Sequence, residues 1–132
     1  MKRTTTINHK PWGTEEVWAS THHNVGKLLT INPGHRLSRK YHRIKNHTIR
    51  ILEGTLLLEV GPLVKGGDVD IVTLHQGEAY YLAARTIHRF CASEETVRVL
   101  EMSSGGPSDS VRLEDDYRRV TKVPQPFLQS DK

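Results

Sequence analysis

The chain has 132 residues, a formal net charge of +4 and 36% hydrophobic residues. Its length predicts a single domain over residues 1–132, and no stretch approaches the roughly 20 continuous apolar residues needed to span a bilayer. The charged N-terminus lacks the apolar segment of a signal peptide. The single cysteine, Cys91, excludes an internal disulfide and fits a reducing compartment. We therefore expect a cytoplasmic domain with no membrane partner.

Basic residues are scattered along the chain, and their densest group is Arg36, Arg39, Lys40, Arg43 and Lys45. No aromatic side chains alternate with this group in the manner of a nucleic-acid-binding motif, so we expect no nucleic-acid partner. One or two such charges are enough to attract a small anionic substrate, for example a sugar phosphate or a carboxylate.

Short segments rich in β-forming residues follow one another along the chain and are separated by turn residues. Strands are predicted over 26–31, 47–52, 55–60, 69–74, 79–84, 88–92 and 96–102. Glu53-Gly54 predicts a hairpin between the second and third of these strands. The segment 111–119 is predicted as a short closing helix or strand, and 120–132 as a tail. Strands this short and evenly spaced are typical of an all-β sandwich or barrel.

Alternation along a strand assigns its side chains to two faces. His47 shares one face with Ile49 and Ile51, whereas Arg50 lies on the other. An unpaired arginine in an apolar core would be very costly, so the His47 face is predicted to point inward.

The same alternation predicts that His88 and Phe90 point inward and that Arg89 lies outside. If His42 also points inward, three histidines from separate strands converge at the mouth of the barrel.

Four motifs in succession resemble a known family. They are KPWGTEEVW at 10–18, NPGHRLSRKYH at 32–42, GEAYYLAARTIHRF at 77–90 and SVRLEDDYRR at 110–119. Together they are similar to the cupin domain of type II mannose-6-phosphate isomerases and of their small stand-alone relatives. The resemblance covers a core of about 10–119. It implies an all-β cupin jelly-roll β-barrel with short irregular termini, often dimeric, with a divalent metal at its mouth.

The resemblance also implies a set of metal ligands. His42 occupies the position of the first metal histidine and His88 that of the last. His47 stands where the family keeps a glutamate, and Ile44 stands where many members have a second histidine. Three neutral imidazoles bind a first-row divalent ion and leave a position open. We therefore predict a Zn, Mn, Fe or Ni ion on the three histidines. The alternative is a vestigial site in which they only form hydrogen bonds.

Four further side chains are predicted to act on a substrate. Lys40 replaces a glutamine that often precedes the first metal histidine in the small relatives, and it could hold an anionic group or serve as a base. Arg36 could hold the same anionic group. Glu101 and Tyr81 are predicted to point inward, with Glu101 as a proton carrier. The alternative for Lys40 is a lysine whose ammonium reaches solvent at the rim.

The leading hypothesis is a metal-dependent sugar or sugar-phosphate isomerase of the aldose–ketose type. Such an enzyme needs a base to move a proton and an electrophile to stabilise the charge that develops. Two alternatives stay open: an Fe(II)-dependent cupin oxygenase, and a non-catalytic sugar-binding or vestigial cupin. A homodimer is expected from the family and because edge strands need to be covered.

Overall fold

The structure is a computed structural model that describes residues 1–118. These residues form eleven β-strands and no α-helix. The strands are β1 (Thr6–Lys10), β2 (Gly13–Ser20), β3 (Asn24–Ile31), β4 (Arg39–His42), β5 (His47–Glu53), β6 (Leu56–Pro62), β7 (Asp70–Leu74), β8 (Ala79–Leu82), β9 (Thr86–Cys91), β10 (Val97–Ser104) and β11 (Ser110–Glu114). The predicted tail 120–132 lies outside the described residues. Within them, no helix has the length and apolar character needed to cross a membrane.

The strands form two antiparallel sheets that enclose one core. The six-stranded sheet has the order β1-β2-β3-β10-β5-β8, and the five-stranded sheet has the order β11-β4-β9-β6-β7. Strands distant in sequence therefore lie side by side, as in a jelly roll, and the predicted all-β barrel is confirmed. The segment at 111–119, predicted as a helix or a strand, begins as a strand, because β11 (Ser110–Glu114) includes its first four residues.

The hairpin predicted at Glu53-Gly54 is wrong. β5 pairs with β8 and β10 in the six-stranded sheet, whereas β6 pairs with β7 and β9 in the five-stranded sheet. The turn therefore carries the chain from one layer to the other. Gly54 has a φ of 78°, and a side chain there would collide with the backbone carbonyl of Thr96. A residue without Cβ is what permits this close crossing.

The interior divides into an apolar part and a polar end. Branched aliphatic side chains and Phe90 fill most of it, and β5 buries His47, Ile49 and Ile51 while leaving Arg50 exposed. The predicted faces of β5 are therefore confirmed. At the end where β5 begins, the core gives way to histidines and charged residues, and His47 is the first inward residue of that strand.

Arg89 faces away from this core, but the prediction that it lies outside is wrong in one respect: its side chain is 0% exposed. The chain after β11 covers it. The Nε atom donates to the Leu37 carbonyl oxygen at 2.8 Å, and the Nη2 atom donates to Asp116 at 2.8 Å. Strand alternation places a side chain on a face, but it does not reveal that a distant segment covers that face.

Candidate functional site

Three strands each bring one histidine to the polar end of the interior. His42 ends β4, His47 begins β5, and His88 lies in β9 opposite Lys40 of β4. The His42 ring centroid lies 3.9 Å from that of His47 and 5.4 Å from that of His88. All three side chains are buried. The structure thus brings together the three histidines that the sequence predicted as metal ligands.

Hydrogen bonds orient two of these rings. His42 Nδ1 lies 3.0 Å from Asp109 Oδ1, and His88 Nδ1 lies 3.0 Å from the Thr86 carbonyl oxygen. Because these oxygens only accept, each Nδ1 carries the proton and each Nε2 keeps its lone pair. The Nε2 atoms of all three histidines are buried, and within residues 1–118 none has a hydrogen-bond partner. Buried nitrogens of this kind, with Nδ1 held from behind, are typical of metal-ligating histidines.

Burial keeps the three imidazoles neutral. Removal from water, aided by the nearby Lys40 ammonium, lowers the pKa of His47 and of His88 to about 4. Burial and the neighbouring His47 lower the pKa of His42 still further. A neutral imidazole is the form that binds a metal, so protons compete little for this site near neutral pH.

Asp109 is a functional candidate that the sequence reasoning missed. Ligand atoms of His42, His47 and Asp109 all lie within 4.8 Å of one another, which is close enough to hold one ion. However, Asp109 already accepts a hydrogen bond at Oδ1 from His42, and at Oδ2 from the Ile44 and Lys45 amides at 2.7 and 2.8 Å. Desolvation raises the pKa of Asp109, but these bonds outweigh it and hold that pKa below its usual value.

No signal in the sequence singled out Asp109. It lies in the loop between β10 and β11, 67 residues from His42. The pairing of Ser110 in β11 with His42 in β4 brings the loop back to the site. That pairing could not be predicted, because 111–119 was open to interpretation as either a helix or a strand.

A cavity of about 390 Å³ opens beside His42 and His47, which line it, whereas His88 does not. Its lining includes five basic side chains and three acidic ones. These are Lys10, Lys27, Lys40, Lys45 and Arg112, with Glu15, Glu101 and Asp109. Positive charge is therefore in excess, and the cavity favours an anionic ligand.

Lys40 and Glu101 occupy the part of this cavity nearest to the histidines. A carboxylate oxygen of Glu101 lies 3.7 Å from His47 Nδ1. Burial lowers the pKa of Lys40, and the attraction of Glu101 acts in the opposite direction. Lys27 lies opposite Glu101 on β3 and forms a 3.4 Å ion pair with Glu15. Three strands thus place charged groups within reach of a ligand bound next to the histidines.

Two predicted site residues lie elsewhere. Tyr81 points outward opposite Thr48 and is 59% exposed, because Tyr80 and Leu82 take the inward positions of β8. The predicted inward orientation of Tyr81 is therefore wrong.

Arg36 does not line the cavity. Its guanidinium forms an ion pair with Asp116 at 2.7 Å, in the segment that follows β11. The expected contact between Arg36 and a substrate is therefore wrong for this cavity, whereas Lys40 lines it as predicted.

The sequence model of the cupin domain matches residues 27–103. With this match and the jelly-roll fold, the chain belongs to the cupin family. No curated protein sequence matches the chain.

Solved structures of low sequence identity share the fold. CapF in complex with 3-isopropenyl-tropolone is 13% identical, with a TM-score of 0.74; the match covers 84% of this chain and 34% of CapF. KdgF from Halomonas sp. is 16% identical, with a TM-score of 0.64 and coverages of 80% and 90%. A double-stranded beta-helix protein from Klebsiella pneumoniae is 17% identical, with a TM-score of 0.64 and coverages of 75% and 77%. The chain thus spans about a third of CapF and most of the other two proteins.

Proposed function

We propose that this cupin binds a divalent metal on His42, His47 and His88 and isomerises a sugar or sugar phosphate by moving a proton between adjacent carbons. One observation carries the proposal: three buried, neutral imidazoles with unused Nε2 atoms meet at one end of the interior, and two of them, His42 and His47, line a cavity that also holds the Glu101 carboxylate and an excess of basic side chains. A neighbour in fold from Staphylococcus aureus is described as a capsular polysaccharide assembling protein, which agrees with a sugar-related ligand.

The donor set fits a first-row divalent ion. The three nitrogens are buried, and two of the rings are held by groups behind them, so little rearrangement is needed on binding. We assign Asp109 to the positioning of His42 rather than to direct coordination, because both of its oxygens already accept hydrogen bonds. When bound, the metal would polarise a carbonyl oxygen of the sugar.

The residues of the chain would supply the remaining chemistry. Glu101 is the carboxylate that lines the cavity next to His47, so it is placed to accept a proton from a carbon atom and return it to the neighbouring carbon. Lys40 would hold the anionic group of the substrate or face the oxygen that becomes negative. Lys27 and Arg112 line the same cavity and would add to this attraction.

The test measures proton transfer with a panel of sugars, because the substrate is not specified in advance. The metal-loaded protein is incubated in D₂O with a panel of aldose and ketose phosphates, and deuterium at the carbon next to the carbonyl is measured by NMR. We expect exchange with at least one sugar, and we expect Glu101→Gln to lower its rate by about 100-fold or more. The outward-facing Tyr81→Phe is the control and should keep the wild-type rate.

Metal analysis separates the proposal from its alternatives. Zinc, manganese or nickel with deuterium exchange supports the isomerase. Iron with oxygen uptake and no exchange would favour the oxygenase instead. Absence of bound metal after anaerobic purification and reloading would contradict both enzymes and leave a non-catalytic binding protein.

A further inference from the structure

A line of polar side chains crosses the inner face of the six-stranded sheet and leads away from the histidines. Five neighbouring strands, from β5 to β1, each contribute one residue to it: His47, Glu101, Lys27, Glu15 and Asn8. Glu101 lies 3.7 Å from His47, and Lys27 is its register partner on β3. Glu15 follows with hydrogen bonds from Lys27 at 3.4 Å and from Asn8 at 3.2 Å. Glu15 and Asn8 have no part in the proposed proton transfer.

The Glu15–Lys27 pair is fixed in place but keeps capacity for a ligand. Asn8 Nδ2 donates to Glu15 Oε1, and Lys27 Nζ donates to Glu15 Oε2. Each carboxylate oxygen can accept a further hydrogen bond, and the ammonium group has three protons, of which one oxygen takes only one. The side chains of Lys27 and Glu15 are 30% and 16% exposed, and both line the cavity. The pair therefore presents an acceptor and a donor, side by side, to an occupant of the cavity.

Glu15 stays ionised in this position. Desolvation raises its pKa, but the ammonium groups of Lys27 and Lys10 and the hydrogen bond from Asn8 outweigh it and hold that pKa below its usual value. A partly buried ion pair contributes little to stability, because desolvation of both charges offsets their attraction. The place of this pair on the cavity wall is therefore better explained by a ligand than by the fold.

The neighbours of the pair indicate what kind of ligand group it binds. Val17 lies directly opposite Lys27, and Leu29 lies directly opposite Glu15. All four side chains line the cavity, so charged and apolar groups alternate on this wall. A sugar likewise presents hydroxyl groups next to C–H groups, whereas a phosphate or carboxylate group would be repelled by Glu15.

We propose that Glu15 and Lys27 bind hydroxyl groups of the substrate on carbon atoms beyond the two that exchange the proton, and that the pair thereby selects sugars by the configuration of those hydroxyls. A hydroxyl donates to the Glu15 carboxylate and accepts from the Lys27 ammonium. The inference rests on the proposed function for the position of the sugar carbonyl at the histidines. Neighbouring strands are about 4.8 Å apart, so Lys27 and Glu15 lie roughly 5 and 10 Å from Glu101 across the sheet. An open sugar chain with its reacting carbons at Glu101 extends along this line.

Sugar alcohols test the site because they carry the hydroxyl groups of a sugar but no carbonyl, so they bind without reacting. The full-length, zinc-loaded protein is titrated with pentitols, hexitols and their phosphates, and with analogues that each lack one hydroxyl beyond carbon 2. Saturation-transfer NMR measures the dissociation constants. We expect loss of at least one such hydroxyl to weaken binding by about tenfold or more, as for a hydrogen bond to a charged group.

Variants of the pair show whether this hydroxyl is bound there. The ratio of the dissociation constants of the deoxy analogue and its parent should fall towards one in Glu15→Met or Lys27→Met, and in the double variant E15M/K27M. The double variant leaves neither charge without its partner, and the ratio cancels any general change in fold or in charge. Glu94→Met and Lys65→Met, on exposed loops, should keep the wild-type ratio.

Three results would overturn the inference. They are a panel in which no sugar alcohol binds, deoxy analogues that all bind like their parents, and a ratio that persists in E15M/K27M. Absence of deuterium exchange with sugars, together with the expected ratios, would instead refute the isomerase and retain the hydroxyl site. Exchange accompanied by ratios near one would retain the isomerase and refute the hydroxyl site.

Discussion

His88 and Arg89 are neighbours in β9, and they are buried in opposite ways. Arg89 is 0% exposed, and protein groups face its guanidinium. Its Nε and Nη2 atoms donate hydrogen bonds to the Leu37 carbonyl oxygen and Asp116, and its Nη1 atom, which has no hydrogen-bond partner within residues 1–118, lies 3.5 Å from Glu114. His88 is 2% exposed, and its Nε2 atom has no partner within residues 1–118. Folding normally satisfies buried polar atoms. An unsatisfied atom that converges with others of its kind therefore points to a ligand, whereas a satisfied one points to architecture.

The clusters around these two residues differ in charge balance as well. Arg89 belongs to one ion-pair network of three arginines and three carboxylates, whose members are Arg36, Arg39, Arg89, Glu59, Glu114 and Asp116. The cavity at the histidine cluster, which His42 and His47 line, has five basic and three acidic side chains. In the first cluster, positive and negative charges balance without any other molecule. The second leaves positive charge for a ligand to neutralise.

The largest expected effect concerns His88. Replacing it by alanine in His88→Ala removes one of three proposed ligands, so we expect metal affinity to fall by about three orders of magnitude. Metal content after dialysis, followed by titration calorimetry, measures this loss. The loop histidine variant His75→Ala should bind metal like the wild type, and equal metal content in both variants would refute the ligand assignment.

Replacing Arg89 should lower the stability of the fold and not the affinity for metal. Arg89→Ala leaves Asp116 and Glu114 without their buried partner, so we expect the free energy of unfolding to fall by about 3 kcal/mol. Urea denaturation measures this change, and Arg3→Ala at the exposed N-terminus serves as the control. Metal affinity of the folded variant should be unchanged. A loss of stability under about 1 kcal/mol would contradict the structural role that we assign to this network.

Replacing Asp109 tests whether this residue coordinates the metal directly or only positions His42. If it positions His42, Asp109→Asn should weaken metal binding by about 10- to 100-fold without abolishing it. Asp116→Asn, in the outer network, should bind metal with the wild-type affinity. A loss as complete as that of His88→Ala would instead make Asp109 a direct ligand.

The low pKa values of the histidines predict acid sensitivity of the metal-free protein. The pKa of His47 and of His88 is about 4 in the folded state and 6.5 when unperturbed. Above pH 6.5 the histidines are neutral in both states. As the pH falls from 6.5 towards 4, only the unfolded chain gains these protons, so stability decreases. Each histidine contributes on the order of 1 kcal/mol per pH unit to this loss.

Urea denaturation between pH 7 and pH 4 measures the slope. Replacing one buried histidine in His47→Asn should make the slope shallower, while His75→Ala should leave it unchanged. Identical slopes for the wild type and His47→Asn would contradict the burial of a neutral imidazole at this position.

The smallest expected effect concerns Lys40. Its ammonium is desolvated in the cavity without an ion-pair partner within residues 1–118, so Lys40→Met should raise the free energy of unfolding by up to about 1 kcal/mol. The same variant should bind inorganic phosphate more weakly in calorimetry. Lys65→Met, on an exposed loop, should change neither quantity. A loss of stability in Lys40→Met would mean that this lysine stabilises the fold, as Arg89 does, rather than serving a ligand site as the histidines do.

Strand pattern and family resemblance together predicted much of the site. Alternation in β5 placed His47 with Ile49 and Ile51, because Arg50 could not face an apolar core. The resemblance then supplied His42 and His88; in the structure the His42 ring stacks on that of His47 on one side and lies near that of His88 on the other. Alternation failed for Tyr81, since the register of β8 against β5 puts Tyr80 and Leu82 inside.

The sequence by itself determined the all-β class, the family and three residues of the candidate site. These depend on local periodicity and on motifs, which a single chain displays directly. Only the tertiary structure decided that β5 and β6 belong to different sheets, that Asp109 stands behind His42, and that Arg36 and Arg89 are held by Asp116. Each of these depends on contacts between distant segments, and neither alternation nor composition encodes which distant segments will meet.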